Sequence, residues 1–141
     1  MSRSGYTDGC GGWELILWRG AVASAIKGKR GQKFLIEMLA ALDTMPEKKL
    51  IKGELKNMEG QVCALGSVGS VRGIDMSVVD TEDREEVGKT FNISGAMAAE
   101  IQDINDQDLS YNYVNETPEE RFMRVRAWVI ENIKESSQCL P

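Results

Sequence analysis

The stretch TPEERFMRVRAWVIENI, residues 117–133, decides the fold class of this 141-residue chain. Thr117 is a good N-cap, Pro118 suits the first helical position, and Glu120 completes a capping box. The large apolar side chains that follow recur at intervals of three and four residues: Phe122, Val125, Val129 and Ile133. The stretch therefore predicts an amphipathic helix whose apolar side faces a protein core.

The same spacing predicts two helices near the start of the chain, at residues 13–27 and 30–44. The apolar residues of the first are Trp13, Ile16, Leu17, Ala21, Ala25 and Ile26, and those of the second are Phe34, Leu35, Met38, Leu39 and Leu42. Gly28 ends the first helix and Pro46 stops the second. Gly20 lies inside the first helix, where glycine costs about 1 kcal/mol relative to alanine. We therefore expect a packing or functional reason for a close backbone approach at Gly20.

The middle of the chain carries weaker patterns. Residues 47–60 are compatible with a third helix, broken near Gly53, with Leu50, Ile51, Leu55 and Met58 on its apolar side. Residues 61–73 fit a buried helix or a strand, and the absence of strict alternation favours the helix. Their glycine-rich part, GSVGSVRG, lacks the lysine and the spacing of a phosphate-binding loop, so close helix packing is the favoured reason for the glycines.

A helical hairpin is predicted at residues 81–106. Thr81 and the acidic residues after it suit the first turn of a helix that ends near Phe91. After a turn at Asn92, Ser94 can cap a second helix with the sequence GAMAAEIQDIND. This second helix has no Lys or Arg and three acidic residues, so it is a poor DNA-recognition helix. We interpret the pair as a structural hairpin.

Together these patterns predict an all-α fold, a compact single-domain bundle of five to seven helices. Residues 13–135 are expected to form this domain, after a flexible N-terminus at 1–12 and before a C-terminal tail at 136–141. The expected core includes Trp13, Trp18, Phe34, Leu39, Leu65, Phe91, Ile101, Phe122 and Trp128.

The composition argues against catalysis. The chain has no histidine, which removes the commonest general base and every Ser-His or Cys-His pair. Its three cysteines, Cys10, Cys63 and Cys139, are too widely spaced for a metal knuckle, and Cys63 reads as a small buried apolar residue. The acidic run from Asp103 to Asp108 lacks the glycine and glutamate of a calcium loop. We therefore expect no enzyme activity, catalytic residue, cofactor or metal.

The N-terminus predicts a location inside the cell. MSRSGYTDGCGGW lacks the apolar run of an export signal, and no segment is apolar enough to span a membrane. We therefore expect a cytoplasmic protein with no membrane partner.

The two halves of the chain differ in charge. Residues 1–72 hold eleven basic and seven acidic residues, whereas residues 73–141 hold six and fifteen, so the halves carry +4 and −9. The acidic half offers a candidate surface for a basic protein partner at Glu100, Asp103, Asp106 and Asp108. A basic patch around the first inter-helix turn offers a candidate nucleic-acid site at Arg19, Lys27, Lys29, Arg30 and Lys33. Solvated helix ends are the simpler interpretation of that patch, because aromatic residues for base stacking are absent.

Three stretches of the chain resemble small uncharacterised proteins encoded by bacteriophages and prophages. They are WRGAVASAIKGKRGQKFLIEMLAALDTMPEKKLI at 18–51, VCALGSVGSVRGIDM at 62–76 and ETPEERFMRVRAWVIENI at 116–133. The resemblance covers most of the chain, and it implies a phage context in a bacterial host. No activity, cofactor or functional residue is established for that family, so none is carried over.

Two functions follow as expectations. The preferred one is a non-enzymatic phage or prophage accessory protein that binds a host or phage macromolecule, such as a host defence complex inhibited through the acidic half. The alternative is a nucleic-acid-binding module that uses the basic patch, which the overall charge of −5 disfavours.

Overall fold

The structure, a computed structural model, describes residues 12–107 and 116–134. This part of the chain contains no β-strand, and its helices are α1 (Gly12–Lys27), α2 (Lys29–Thr44), α3 (Ala64–Arg72), α4 (Arg84–Phe91), α5 (Gly95–Asp106) and α6 (Pro118–Asn132), with a 3-10 turn at Met76–Val78. The predicted all-α bundle is confirmed. The predicted N-terminal and C-terminal segments, apart from Gly12, lie outside the described residues, as does Asp108. No helix in the two described ranges is long and apolar enough to cross a membrane.

α6 forms as its sequence predicts. The Thr117 hydroxyl accepts a hydrogen bond from the Glu120 backbone N–H at 3.1 Å, and the Glu120 carboxylate accepts one from the Thr117 N–H at 2.9 Å. These reciprocal bonds satisfy two amide groups that no helical carbonyl can reach. The four predicted inward residues are all buried: Phe122, Val125, Val129 and Ile133.

α3 packs against α2 and α5, and residues 62–69 are all buried. The Cys63 sulfur accepts a hydrogen bond from the Gly66 N–H at 3.4 Å, and the Asn105 side-chain oxygen accepts one from the Ala64 N–H at 2.9 Å. A side chain at Gly66 would collide with the backbone carbonyl of Leu55. The predicted buried helix and the burial of Cys63 are therefore confirmed. Close packing holds at Gly66 and Gly69, but against Leu55 and Met76, which lie outside the α-helices, and not at Gly73, which has φ of +71° and ends the helix.

The helix predicted at residues 47–60 is wrong, because this segment is irregular, whereas the break predicted near Gly53 is confirmed. Gly53 and Gly60 both have φ of +84°, a conformation that breaks a helix and that glycine adopts at little cost. Leu50 and Leu55 are buried as separate anchors, whereas Met58 is fully exposed. The apolar residues of this segment are spaced as in a helix, but Leu50 and Leu55 are buried separately by an irregular chain.

The predicted inward side of α1 is partly wrong. The helix buries Val22 and Ile26, with Trp18 and Ala25 partly buried on the same side. Trp13, Ile16 and Leu17 lie on the opposite side, and their exposed fractions are 69%, 61% and 55%. Helical spacing identified the helix but not its inward side, because both sides carry apolar residues. Among the other predicted core residues, Leu39 and Trp128 are also only partly buried.

The close approach expected at Gly20 is not found among the described residues. Apart from the helix's own neighbouring backbone, no atom of residues 12–107 or 116–134 lies within 4 Å of the position that a side-chain Cβ would occupy there. These residues supply no packing reason for the glycine, and a functional reason stays a prediction.

α4 and α5 form the predicted hairpin, with one correction. α4 is capped by Asp83, whose carboxylate accepts from the Glu85 and Glu86 N–H groups, and not by Thr81. Residues before Asp83 form a turn in which the Asp80 N–H donates to the Glu86 carboxylate at 2.7 Å. This turn delays the start of the helix by three residues.

A buried ionic cluster connects the chain on both sides of residues 108–115. The Glu116 carboxylate, with its side chain 3% exposed, lies 2.6 Å from Arg124 Nε and 3.4 Å from Arg121 Nε. Arg124 also donates to the carbonyl of Gln107 at 3.1 Å, and Arg121 to that of Leu50 at 3.0 Å. Because buried charges are costly unless paired, this cluster fixes the start of α6 against the end of α5.

Candidate functional site: a groove between α1, α5 and α6

A groove of about 420 Å³ separates the second half of α1 from the end of α6. Its apolar walls come from Val22, Ile26, Trp128 and Ile133. Its charged residues are Arg19, Lys27, Glu100, Glu131 and Lys134. The volume falls in the range of ligand-binding pockets, roughly 300–1,000 Å³.

The two walls are joined by one buried side chain, Gln32 at the start of α2. Its amide nitrogen donates to the carbonyl of Ile26 at 2.7 Å and to that of Asn132 at 3.0 Å. Its side-chain oxygen accepts from the Lys134 N–H at 2.8 Å. Gln32 therefore satisfies backbone groups at the ends of both α1 and α6. These hydrogen bonds link the two walls of the groove.

Glu100 carries the unusual electrostatics of the groove. Burial raises the pKa of its carboxyl, and the nearby charge of Asp103 raises it further. Its Oε1 atom is enclosed and accepts no hydrogen bond from any residue in the described part of the chain. A buried polar atom of this kind calls for a partner, because nearly all such atoms in folded proteins are hydrogen-bonded.

The structure divides the predicted basic patch among three places. Arg19 and Lys27 stand at the groove, whereas Lys29 and Arg30 line a smaller cleft of about 220 Å³ near the start of α5. Lys33 lies towards Glu37, whose pKa is lowered mainly by its hydrogen bond from Arg72 and only to a lesser degree by Lys33. All five basic residues of the patch are exposed.

The predicted acidic residues are likewise not equivalent. The Asp106 carboxylate accepts from the Gly53 N–H at 3.1 Å and from the Asn105 amide at 3.0 Å, so it serves the fold. Asp103 is partly buried beside Glu100. Of the described acidic residues in this set, Glu100 is the one that lines the groove.

The exposed apolar side of α1 adjoins the groove. Residues three and four apart share one side of a helix, so Ile16 lies on the same side as Gly20 and Ala23. Ala23 lines the groove. We refer to Trp13, Ile16 and Leu17 as the α1 surface. The surface borders the groove only where Ile16 and Ala23 share a side of the helix, whereas Trp13 and Leu17 lie opposite Val22 and Ile26.

Sequence reasoning missed the contribution of α6 to this site. Trp128 was expected in the core, but it is partly buried and lines the groove. Asn132 and Lys134 carried no signal, since their place in a wall depends on a hydrogen-bond partner about 100 residues earlier. Periodicity identifies the inward side of a helix but not the gaps between helices.

The groove holds charged and apolar groups but no recognised set of metal ligands. Across residues 12–107 and 116–134, no group of three His, Cys, Asp or Glu side chains is arranged to hold a metal ion. Fold and site together define a helical domain with an amphipathic groove.

Comparison with protein-family models, with curated proteins and with solved structures finds no match to this chain.

Proposed function

We propose that this chain is a non-enzymatic binding protein that engages a protein partner through the α1 surface and the adjoining groove. The observation that carries the proposal is the exposure of three large apolar side chains on successive turns of one helix, Trp13, Ile16 and Leu17. Contiguous exposed apolar patches are uncommon on monomeric proteins and mark interaction sites. Tryptophan in particular is enriched among the residues that dominate interface energies.

The resemblance to phage-encoded proteins makes a host or phage protein the first class of partner to test. A host defence complex with a basic surface is one such partner, because Glu100 and Asp103 bring negative charge to the groove side of the site. The structure supports a smaller acidic contribution than the sequence suggested, since Asp106 is engaged in hydrogen bonds that hold the fold.

Affinity capture from a bacterial host lysate tests the proposal. The double variant Trp13→Gln, Leu17→Gln removes two of the three apolar side chains of the α1 surface and leaves the buried side of the helix unchanged. The matched control is Met123→Gln, Val71→Gln, which removes two equally exposed apolar side chains from other helices. We expect the wild type and the control to recover the same stoichiometric partner and the α1 variant to lose it. Equal recovery by all three proteins, or no partner at all, would contradict the proposal.

Nucleic-acid binding is the second candidate, and one observation favours it. α2 begins at Lys29 after Gly28, which makes no side-chain capping bond, and its first turn has no acidic residue. The N-terminal end of a helix, with Lys29 and Arg30 exposed beside it, suits a phosphate group. Fluorescence anisotropy with labelled DNA and RNA, at about 50 mM and about 200 mM salt, tests it. Binding that falls steeply with salt, and falls further in Lys29→Gln, Arg30→Gln, would favour this candidate over the first.

A further inference from the structure

The groove contains a negative group that the rest of the described chain does not neutralise. The Glu100 carboxyl is partly buried, and its Oε1 atom lacks a described hydrogen-bond donor. The two causes acting on its pKa, burial and Asp103, both favour the neutral form. No residue in the described ranges forms an ion pair with it, although three cations stand at the rim of the same groove. The groove is therefore lined by a carboxyl group that no described residue pairs with.

The three basic residues at the rim of the groove do not neutralise Glu100, because they are exposed to water. Arg19, Lys27 and Lys134 are all exposed, so water solvates their charges. Long basic side chains of this kind keep their charged ends in water while their stems cover apolar surface. Glu131 at the same rim is also exposed, and it offsets part of their charge. Glu100, with Asp103 beside it, is thus the partly buried negative group of a groove whose basic residues are exposed.

The walls next to Glu100 suit an aliphatic stem. Val22 and Ile26 are buried in the α1 wall, and Trp128 faces them from α6 with part of its ring accessible. An extended lysine or arginine side chain combines an apolar stem with a cationic end. The cation gains from a charge-assisted hydrogen bond to a carboxylate and from the face of a tryptophan ring.

We propose that the groove receives a lysine or arginine side chain of the protein partner, with its stem between Val22 and Trp128 and its cation on the Glu100 carboxylate. The identity of the partner rests on the proposed function, but the chemistry of the groove does not. The ligand class is therefore testable without the partner.

The probe is a blocked Ala-Arg-Ala tripeptide, titrated into the full chain and followed by NMR at the Trp128 indole N–H and the Glu100 backbone amide. The neutral control peptide carries citrulline, which has nearly the shape of arginine without its charge. The acidic control peptide carries glutamate. We expect saturable shifts with the arginine peptide, with affinity about tenfold weaker for the citrulline peptide or for Glu100→Gln. The control variant Glu59→Gln, in an exposed turn away from the groove, should bind as the wild type does.

Several results would overturn this inference. They are equal binding of the arginine and citrulline peptides, unchanged binding by Glu100→Gln, stronger binding of the glutamate peptide, and shifts that appear only after residues 136–141 are removed. The last result would mean that the groove belongs to the chain's own C-terminal residues. If Glu100→Gln still captures the lysate partner and the arginine peptide fails to bind, the groove inference fails while the proposed function stands. If the peptide binds but no partner is captured, the reverse holds.

Discussion

α1 and α3 differ in a way that their sequences do not suggest. α1 contains two tryptophans, two isoleucines and two leucines, yet most of its residues are exposed. α3 is built largely from glycine, serine and valine, yet six of its nine residues are buried, in an unbroken run. The small residues of α3 let Leu55 and Met76 approach its backbone closely, and this close packing accounts for the burial of the helix. The apolar content of a helix therefore does not determine how much of it is buried. The exposed apolar side chains of α1 do not contribute to the core.

The sharpest test of the α3 side of this comparison is Gly66→Ala. The added Cβ would meet the Leu55 carbonyl and the Val62 side chain, and backbone atoms cannot move aside cheaply. We expect a loss of about 3 kcal/mol in the free energy of unfolding, measured by urea denaturation. Gly69→Ala is the matched control, because its Cβ would meet only the flexible Met76 side chain and should cost clearly less. Equal costs at the two positions would refute the close-packing explanation.

The next effect concerns Asn105, which makes the burial of α3 possible. Its side chain accepts from the Ala64 N–H and donates to the Ile51 carbonyl at 2.9 Å, so it satisfies backbone groups of two other segments. Asn105→Ala leaves both groups buried without a partner, and we expect a cost of about 2–3 kcal/mol in thermal or chemical unfolding. Ser94→Ala, which removes the single capping bond of α5 at a partly buried site, should cost about 1 kcal/mol. A smaller cost at Asn105 than at Ser94 would show that water replaces its bonds.

Gly20→Ala probes the α1 side of the comparison. Because the position is open and helical, alanine should stabilise the protein by about 0.5–1 kcal/mol, measurable as a higher Tm. The same variant should be carried through the lysate capture. If the glycine serves a partner that packs closely on α1, the variant gains stability and loses partner. A loss of stability would mean that the α1 backbone is more tightly packed than the structure indicates.

The smallest effect is the pH dependence at Glu100, the charged group beside α1. Its pKa in the folded protein is raised above the ordinary value of 4.5, so the ionised carboxylate favours unfolding. The favourable contribution of the protonated form is therefore present below pH 4.5 and is lost as pH rises through the folded-state pKa. Glu100→Gln should raise Tm by at most about 2 °C at about pH 7 and leave it unchanged at about pH 3.5. The exposed control Glu82→Gln should have no effect at either pH, and an effect of Glu100→Gln that is independent of pH would exclude the electrostatic cause.

The sequence predicted elements better than surfaces. α6 was predictable because its capping box and apolar spacing agree, and α3 because its three-residue spacing contains no alternation. The inward side of α1 was not, since Trp13 and Leu17 repeat at the same interval as Val22 and Ile26. The break near Gly53 was predictable, but the helix at 47–60 was not found, because Leu50 and Leu55 are buried from an irregular segment and apolar spacing alone does not distinguish that from a helix.

The candidate site was predicted only in part. Glu100, Arg19 and Lys27 were chosen for their charge and do line the groove, but on opposite grounds and for different partners. Asp106 was chosen for the same reason as Glu100, yet it accepts a backbone hydrogen bond from a segment 53 residues earlier. A charge pattern in the sequence does not distinguish a charged side chain that stabilises the fold from one that lines a binding site. Only the tertiary structure makes that distinction.

Gln32 gives the groove a natural reporter of its own opening. The Lys134 N–H donates to the Gln32 side-chain oxygen, so its hydrogen exchanges with solvent only when the α6 end moves away from α2. The exchange rate at this one amide therefore measures how often the two walls separate. A ligand that holds both walls would slow it without touching Gln32. Exchange at Lys134 can thus follow groove occupancy in the intact protein, even for a partner whose contacts are unknown.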